Sequence, residues 1–149
     1  MEYQERLGVP LRWWVQGTML IASLWLAVVV ALPAALAWGV SALALALMTL
    51  GLLSYGSARV TVHDGVFRAG RARVQTVHLG TATALDPDET RRTAGRDADA
   101  RAYLVLRPYL KRAVRVQIDD PRDPTPYWLV STRRPEELAR ALRAVATAE

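Results

Sequence analysis

The feature that most constrains this chain is a long uncharged stretch near its start. No Asp, Glu, Lys or Arg occurs between Arg12 and Arg59. The hydrocarbon core of a bilayer is about 30 Å thick, and about 20 apolar residues span it as a helix. A single helix over this stretch would extend roughly 70 Å, so the chain must fold back. We therefore predict a hairpin of two transmembrane helices over residues 13–57.

The break between the two helices is predicted between Pro33 and Gly39. Proline removes a backbone donor and clashes with the preceding turn, and glycine loosens the backbone. The first helix is expected near residues 12–32 and the second near residues 38–56. The polar side chains of this stretch are not ionisable, which argues against ion or proton transport by this chain alone.

Charge on either side of the hairpin predicts its orientation. The far turn has no basic residue, whereas arginines lie before and after the hairpin at its near ends. By the positive-inside rule, both termini are cytoplasmic, as in a multi-pass plasma-membrane protein. Basic residues near an anionic leaflet contribute about 1 kcal/mol each, and tryptophans favour the interface. The candidate lipid-facing residues are Arg59, Arg68, Arg71, Arg73, Trp13 and Trp14; topology signalling alone is the alternative for the arginines.

A secretory signal peptide is the competing interpretation of the first apolar segment. Ala35-Leu36-Ala37 resembles a cleavage site. The segment is longer than the usual 7–15-residue apolar region, however, and a second apolar span follows at once. The hairpin is the preferred interpretation.

The rest of the chain shows the two-residue period of β-strands. We expect an N-terminal cytoplasmic segment over residues 1–12 and a cytoplasmic β-rich domain over residues 58–149. Asp64-Gly65 predicts a tight hairpin turn, and Gly80 a bend or bulge. Strands are expected at 59–63, 66–69, 73–79, 81–85, 101–107, 113–118 and 127–132.

Two further segments complete the predicted domain. Residues 86–100 carry few bulky apolar side chains and are expected to form an exposed, mobile loop. A helix is predicted over residues 135–147, because one apolar stripe is formed by Leu138, Ala141, Leu142 and Val145. The fold class is thus a membrane α-hairpin followed by a small α+β domain. That domain is an antiparallel β-barrel or sheet with a C-terminal helix, similar to pleckstrin-homology domains.

Several motifs carry a resemblance to a known family. They are Tyr-Gln-Glu-Arg-Leu at residues 3–7, Ala-Gly-Arg-Ala at residues 69–72, Arg107-Pro108, and the Asp-Pro-Arg-Asp-Pro-Thr-Pro-Tyr-Trp run from residue 120. Over essentially its whole length the chain resembles the bacterial family "domain of unknown function 3093". The resemblance implies an actinobacterial membrane protein and carries no assigned activity.

The Asp-Pro-rich run is the main candidate interaction surface. Its prolines stiffen the segment, its aromatics offer amphipathic area, and arginine can hold a carboxylate or phosphate. The alternative is an internal lock, with one aromatic in the core and Arg133 paired with Asp123 or Asp120. The surface comprises Asp120, Asp123, Thr125, Tyr127, Trp128 and Arg133.

Catalytic, metal and cofactor sites are not predicted. The chain has no cysteine, and His63 and His78 lack a third clustered ligand. Asp119, Asp120 and Asp123 lack the spacing of a calcium loop, so turn formation is the preferred role. The net charge of +5 comes from mixed charges with few aromatics, which does not favour nucleic acid as a partner.

The expected function is therefore a non-enzymatic membrane module that binds a protein partner or anionic lipid headgroups. The alternative is an accessory subunit of a transporter or envelope-biogenesis complex, with Trp25 and small residues packing on a partner. Homo-oligomerisation is left open. An enzyme using the Asp-Pro-rich loop is the least favoured class.

Overall fold

The computed structural model describes residues 2–148 and divides them into two compact units. Residues 8–57 form the first unit, which we call the helical hairpin. Residues 2–7 and 58–148 form the second, which we call the β domain. The N-terminal segment, predicted as separate, thus contributes its first residues to the β domain.

The helical hairpin consists of two long apolar helices, α1 (Leu11–Ala31) and α2 (Ala34–Tyr55). Both helices are long enough and apolar enough to cross a membrane. Within α1 no residue is buried, and within α2 only Ala37 and Ser41 are. A helix that is apolar on all sides belongs in a core or in a bilayer, and the chain's own fold leaves these faces uncovered.

The break between the helices is shorter than predicted. Pro33 occupies the cap position directly before α2, where its missing N–H costs nothing. The alanines that follow it are strong helix formers, so α2 begins at Ala34 and runs through Gly39 without interruption.

Four strands form the first sheet of the β domain: β1 (Tyr3–Arg6), β2 (Arg59–His63), β3 (Val66–Ala69) and β4 (Ala72–Gln75). They pair in sequential order, and all pairs are antiparallel. The predicted turn is confirmed, because Asp64 and Gly65 both have positive φ, 50° and 68°, as a type I′ turn requires. Residues 76–78, expected within a strand, form a short 3₁₀ helix.

The second sheet contains β5 (Leu79–Leu85), β6 (Tyr103–Val105), β7 (Ala113–Ile118) and β8 (Tyr127–Ser131), in the order β5-β7-β8-β6. The register of β5 against β7 shifts between Leu79 and Ala82, which confirms the irregularity predicted at Gly80. One pair departs from the antiparallel expectation, since β6 runs parallel to β8.

The C-terminal helix α4 (Pro135–Ala146) covers the second sheet by packing against β5 and β7. Its predicted stripe is confirmed, because Leu138, Ala141 and Leu142 are buried and Val145 is partly buried against the same core. The main core lies between the first sheet, the second sheet and α4, and it includes Phe67 and Trp128.

The predicted mobile loop over residues 86–100 is wrong in its first half. Residues Pro87–Ala94 form a helix, α3, with a complete capping box. Asp86 Oδ1 accepts the Glu89 backbone N–H at 2.8 Å, and Glu89 Oε2 accepts the Asp86 N–H at 3.0 Å. Although α3 lacks an apolar stripe, the capping box satisfies backbone N–H groups at its N-terminus, and Pro87 suits its first position.

Candidate functional site: an arginine face on the first sheet

Strand pairing brings four arginines onto one exposed face of the first sheet, and a fifth lies in the turn that follows β3. Inward-facing residues of β1 and β2 alternate with exposed ones. Arg6 lies directly opposite Arg59, and Arg68 lies directly opposite Arg73. Arg71 lies in the turn between β3 and β4. We call this set the arginine face; all five of its arginines are exposed.

The two cross-strand pairs join charges of the same sign. Like charges directly opposite on neighbouring strands are destabilising. None of the ion pairs among residues 2–148 involves an arginine of this face. The face therefore has unneutralised positive charge, which an anion with several oxygens can relieve through the guanidinium fork.

Charge is segregated along the same sheet. The carboxylates of Glu2 and Asp64 lie at the end formed by the β2–β3 turn, where both contact His63, at 2.8 and 2.9 Å. Arg59 lies at the opposite end of β2, roughly 13 Å from His63 along the strand. At that arginine-rich end the chain leaves the β domain after Leu7 and returns to it at Ala58.

Among the predicted lipid-facing arginines, strand pairing thus places Arg59, Arg68 and Arg73 on one face, with Arg71 in the adjoining turn, and it adds Arg6. Arg6 joins this face only because β1 pairs with β2. The sequence pattern did not reveal this, because the two strands are separated in sequence by the whole helical hairpin. The predicted aromatics Trp13 and Trp14 belong to the other unit. There, Trp13 stacks on Tyr55 with ring centroids 6.4 Å apart, which aligns the start of α1 with the end of α2.

The Asp-Pro-rich run does not form the predicted aromatic surface. Tyr127 and Trp128 are each only 5% exposed. Trp128 packs on Phe67 and Tyr103, with centroids 5.5 and 4.9 Å away. Tyr127 lies on the other side of β8 in a second apolar cluster with Leu129.

Burial on both faces of β8 explains this placement. Every residue of Tyr127–Ser131 is buried, and a strand covered on both faces is a continuous apolar run rather than an alternating one. The second cluster is covered in part by Ala94, Ala102 and Leu106. Residues 86–100, which were expected to form an exposed loop, therefore contribute Ala94 to this second cluster.

The aspartates of the same run act in turns. Asp120 Oδ1 accepts the Arg122 N–H at 2.9 Å, and Asp123 Oδ1 accepts the Thr125 N–H at 2.9 Å. Hydrogen bonds from the Thr125 hydroxyl and N–H lower the pKa of the Asp123 carboxyl. Among residues 2–148, no three His, Cys, Asp or Glu side chains cluster as metal ligands would. The geometry supports the turn-forming role.

A buried carboxylate, which sequence reasoning did not single out, joins the two ends of the β domain. Glu5 is 6% exposed and accepts hydrogen bonds from the hydroxyls of Tyr3 at 2.7 Å and Thr132 at 2.5 Å. It also accepts the Arg133 N–H at 3.0 Å. The Arg133 guanidinium lies 3.7 Å from Glu5, so the predicted lock partner, Asp123 or Asp120, is replaced by Glu5.

Burial also affects the hydroxyl at the centre of this group. Loss of solvent around Tyr3 raises the pKa of its phenol well above the usual value, and the neighbouring Glu5 adds to the rise. The neutral hydroxyl therefore persists as a donor to Glu5. This group, which we call the Glu5 cluster (Tyr3, Glu5, Thr132 and Arg133), connects β1 to the junction between β8 and α4.

Taken together, these features define a class of protein: a two-sheet α+β domain with two long apolar helices inserted between its first and second strands. The chain belongs to the family described as Protein of unknown function (DUF3093), whose family model matches residues 2–142. A search of the curated proteins and a search of the solved structures each gave no match.

Proposed function

We propose that this protein is a membrane-anchored, non-enzymatic module. In this proposal the helical hairpin crosses the plasma membrane twice and both termini are cytoplasmic. The β domain then holds anionic lipid headgroups of the cytoplasmic leaflet on its arginine face. We also assign the β domain to the pleckstrin-homology-like class, on the basis of its two largely antiparallel sheets and its C-terminal helix.

The pairing of β1 with β2 is the observation that carries the topology. These strands directly precede α1 and follow α2, and they are neighbours throughout their length. The pairing continues outward, because the Leu7 N–H donates to the Ala58 carbonyl at 2.9 Å. The two connections to the hairpin therefore start at one point of the β domain. Such an arrangement supports an even number of crossings, and the flanking arginines favour the cytoplasmic side.

The position of the arginine face supports the lipid assignment. Arg6 and Arg59 are each the residue next to the point where the chain leaves or rejoins the β domain. Arg68 lies opposite Thr61, two residues further along β2, and Arg73 lies opposite Arg68 on the next strand. At about 1 kcal/mol per basic residue near an anionic surface, the five arginines together contribute several kcal/mol.

Single cysteines test the topology, because the natural chain has none. We expect Ala35→Cys, next to the turn between the helices, to react with a membrane-impermeant thiol reagent in intact cells. Arg122→Cys, on an exposed loop of the β domain, should react only after lysis. Labelling of Arg122→Cys in intact cells, or release of the full chain from membranes by alkaline carbonate, would contradict the topology.

Neutralising two arginines tests the lipid site. We expect Arg68→Gln/Arg73→Gln to weaken binding of dihexanoyl-phosphatidylglycerol to the full-length protein in neutral detergent by roughly 30-fold, from the loss of about 2 kcal/mol. Isothermal titration calorimetry measures the dissociation constant. Inorganic phosphate and dihexanoyl-phosphatidylcholine serve as parallel probes, and each should bind more weakly than the anionic lipid.

The matched control is Arg122→Gln/Arg140→Gln, which removes the same charge from exposed positions outside the face. It should change the dissociation constant by less than about threefold, because charges separated by more than about 10 Å are largely screened by salt. Equal weakening of lipid binding by both double variants would show that the net charge of the protein, and not the arginine face, determines the affinity. Equal affinity for the zwitterionic lipid would contradict a headgroup site.

A further inference from the structure

One histidine of the first sheet lies between two carboxylates. His63 Nδ1 is 2.8 Å from Glu2 Oε1, and His63 Nε2 is 2.9 Å from Asp64 Oδ2. Glu2 directly precedes β1, and Asp64 directly follows β2 in the turn to β3. We call these three residues the His63 group.

Both ring nitrogens of His63 therefore face a carboxylate oxygen. A neutral imidazole has one N–H donor and one nitrogen lone pair, whereas an imidazolium has two donors. In either neutral tautomer, the lone pair would face an anionic oxygen at 2.8 or 2.9 Å, and this contact is repulsive. The arrangement thus matches the protonated ring, which attracts both carboxylates.

The charge of the His63 group depends on this proton. Histidine is the side chain that gains or loses its proton within about pH 5–8, whereas carboxylates and arginines ordinarily keep their charge over that range. With the two carboxylates ionised, the group has a net charge of −1 when the ring is protonated and −2 when it is neutral.

The His63 group lies on the same side of the first sheet as the arginine face. Val62 and Phe67 are buried in the core, so His63 and Arg68, which alternate with them along β2 and β3, lie on the exposed side. His63 is directly opposite Val66, and Arg68 is two residues further along β3. Such diagonal neighbours are about 7–8 Å apart.

This separation is short enough for the proton to affect Arg68. In about 0.1 M salt, interactions between exposed charges are screened over about 10 Å. The other neighbours of His63 on this side are Gln4, Val66 and Gln75, which carry no charge. The proton on His63 is therefore a change of charge directly beside the arginine face.

We propose that proton uptake by His63 strengthens the binding of anionic lipid headgroups on the arginine face. This inference rests on the proposed lipid site and adds its regulation. When the ring is protonated, the His63 group repels an anionic headgroup less, so a fall in pH tightens binding and a rise in pH weakens it. By thermodynamic linkage, the bound headgroup in turn favours the protonated ring.

The test is the pH dependence of dihexanoyl-phosphatidylglycerol binding to the full-length protein in neutral detergent. Isothermal titration calorimetry at about pH 5.5 and about pH 7.5, at constant ionic strength, covers the change of charge of a histidine. The phosphodiester of this lipid keeps its single negative charge at both pH values. We expect the dissociation constant to be about 2- to 5-fold lower at the lower pH, at most the effect of one basic residue near an anionic surface.

Substitutions of His63 separate its proton from other effects of pH. The side chain is 57% exposed, so these changes leave the core intact. His63→Gln should remove the difference between the two pH values. His63→Arg keeps a positive charge at both pH values, and at the higher pH it should bind the lipid as tightly as the natural chain does at the lower one.

The matched control is His78→Gln, because the chain has two histidines. His78 lies in the short 3₁₀ helix, where its Nε2 is 3.9 Å from Asp120 Oδ2. This variant should keep the full difference between the two pH values.

The outcomes separate this inference from the proposed function. If Arg68→Gln/Arg73→Gln weakens binding but the natural chain has the same affinity at both pH values, the regulation is wrong and the lipid site remains. A pH difference that persists in His63→Gln, or that disappears in His78→Gln, also overturns the regulation. If the lipid binds at neither pH, both proposals fail.

Discussion

Replacing Glu5 with alanine is expected to lower the free energy of unfolding of the β domain by about 3–5 kcal/mol. The carboxylate is buried and accepts hydrogen bonds from Tyr3, Thr132 and Arg133. Its removal leaves buried donors without partners and separates β1 from the start of α4. Because β1 precedes the helical hairpin and α4 ends the chain, one substitution weakens the connection between both ends of the β domain.

Hydrogen exchange of the full-length protein in detergent, measured by mass spectrometry across a denaturant series, gives this free energy for peptides of β1 and α4. Glu137→Ala is the matched control, because it removes a carboxylate from a half-exposed ion pair with Arg134. Exposed pairs of this kind contribute only about 0–1 kcal/mol. Similar losses in the two variants would show that the Glu5 cluster does not stabilise the domain.

The second large effect is expected at Phe67, which is fully buried on the first sheet. Its ring packs on Trp128 of the second sheet, so this contact joins the two sheets directly. Phe67→Ala removes the ring and leaves a cavity, and such substitutions cost about 3–5 kcal/mol. We expect that loss of unfolding free energy in peptides from both sheets, measured by the same exchange experiment.

Two variants serve as controls for the cavity. Phe67→Leu keeps most of the apolar volume and should cost less than half as much, because volume-conserving changes in a core cost under about 1.5 kcal/mol. Val77→Ala, at a side chain that is 61% exposed, should change stability by no more than about 0.5 kcal/mol. Loss confined to the first sheet would mean that the two sheets do not share one core.

Elements with a local signal were predictable from the sequence. Asp64-Gly65 has one preferred turn, Gly80 marks the irregular strand, and the stripe on α4 has one buried side. The helix α3 also had a local signal, the capping box between Asp86 and Glu89. The scarcity of apolar residues outweighed that signal, which is why residues 86–100 were predicted as a loop.

Placement of the candidate sites was less predictable. The Tyr127-Trp128 pair has the composition of an exposed recognition surface, yet both side chains are buried, because apolar clusters cover both faces of β8. The arginines were individually visible as a basic group. Their arrangement as two like-charged cross-strand pairs depends on strand register, and the sequence pattern alone does not determine which strands are neighbours.

What the sequence by itself determined is the pair of apolar helices, α1 and α2, because the missing charge and the length of that stretch are properties of the chain and require no partner. Only the tertiary structure decided that residues 3–6 pair with residues 59–62 and that Glu5 meets Thr132 and Arg133. The physical reason is that hydropathy and turn preferences act over a few residues. Strand pairing across the hairpin, and the burial of a carboxylate among distant donors, arise only when the complete core assembles.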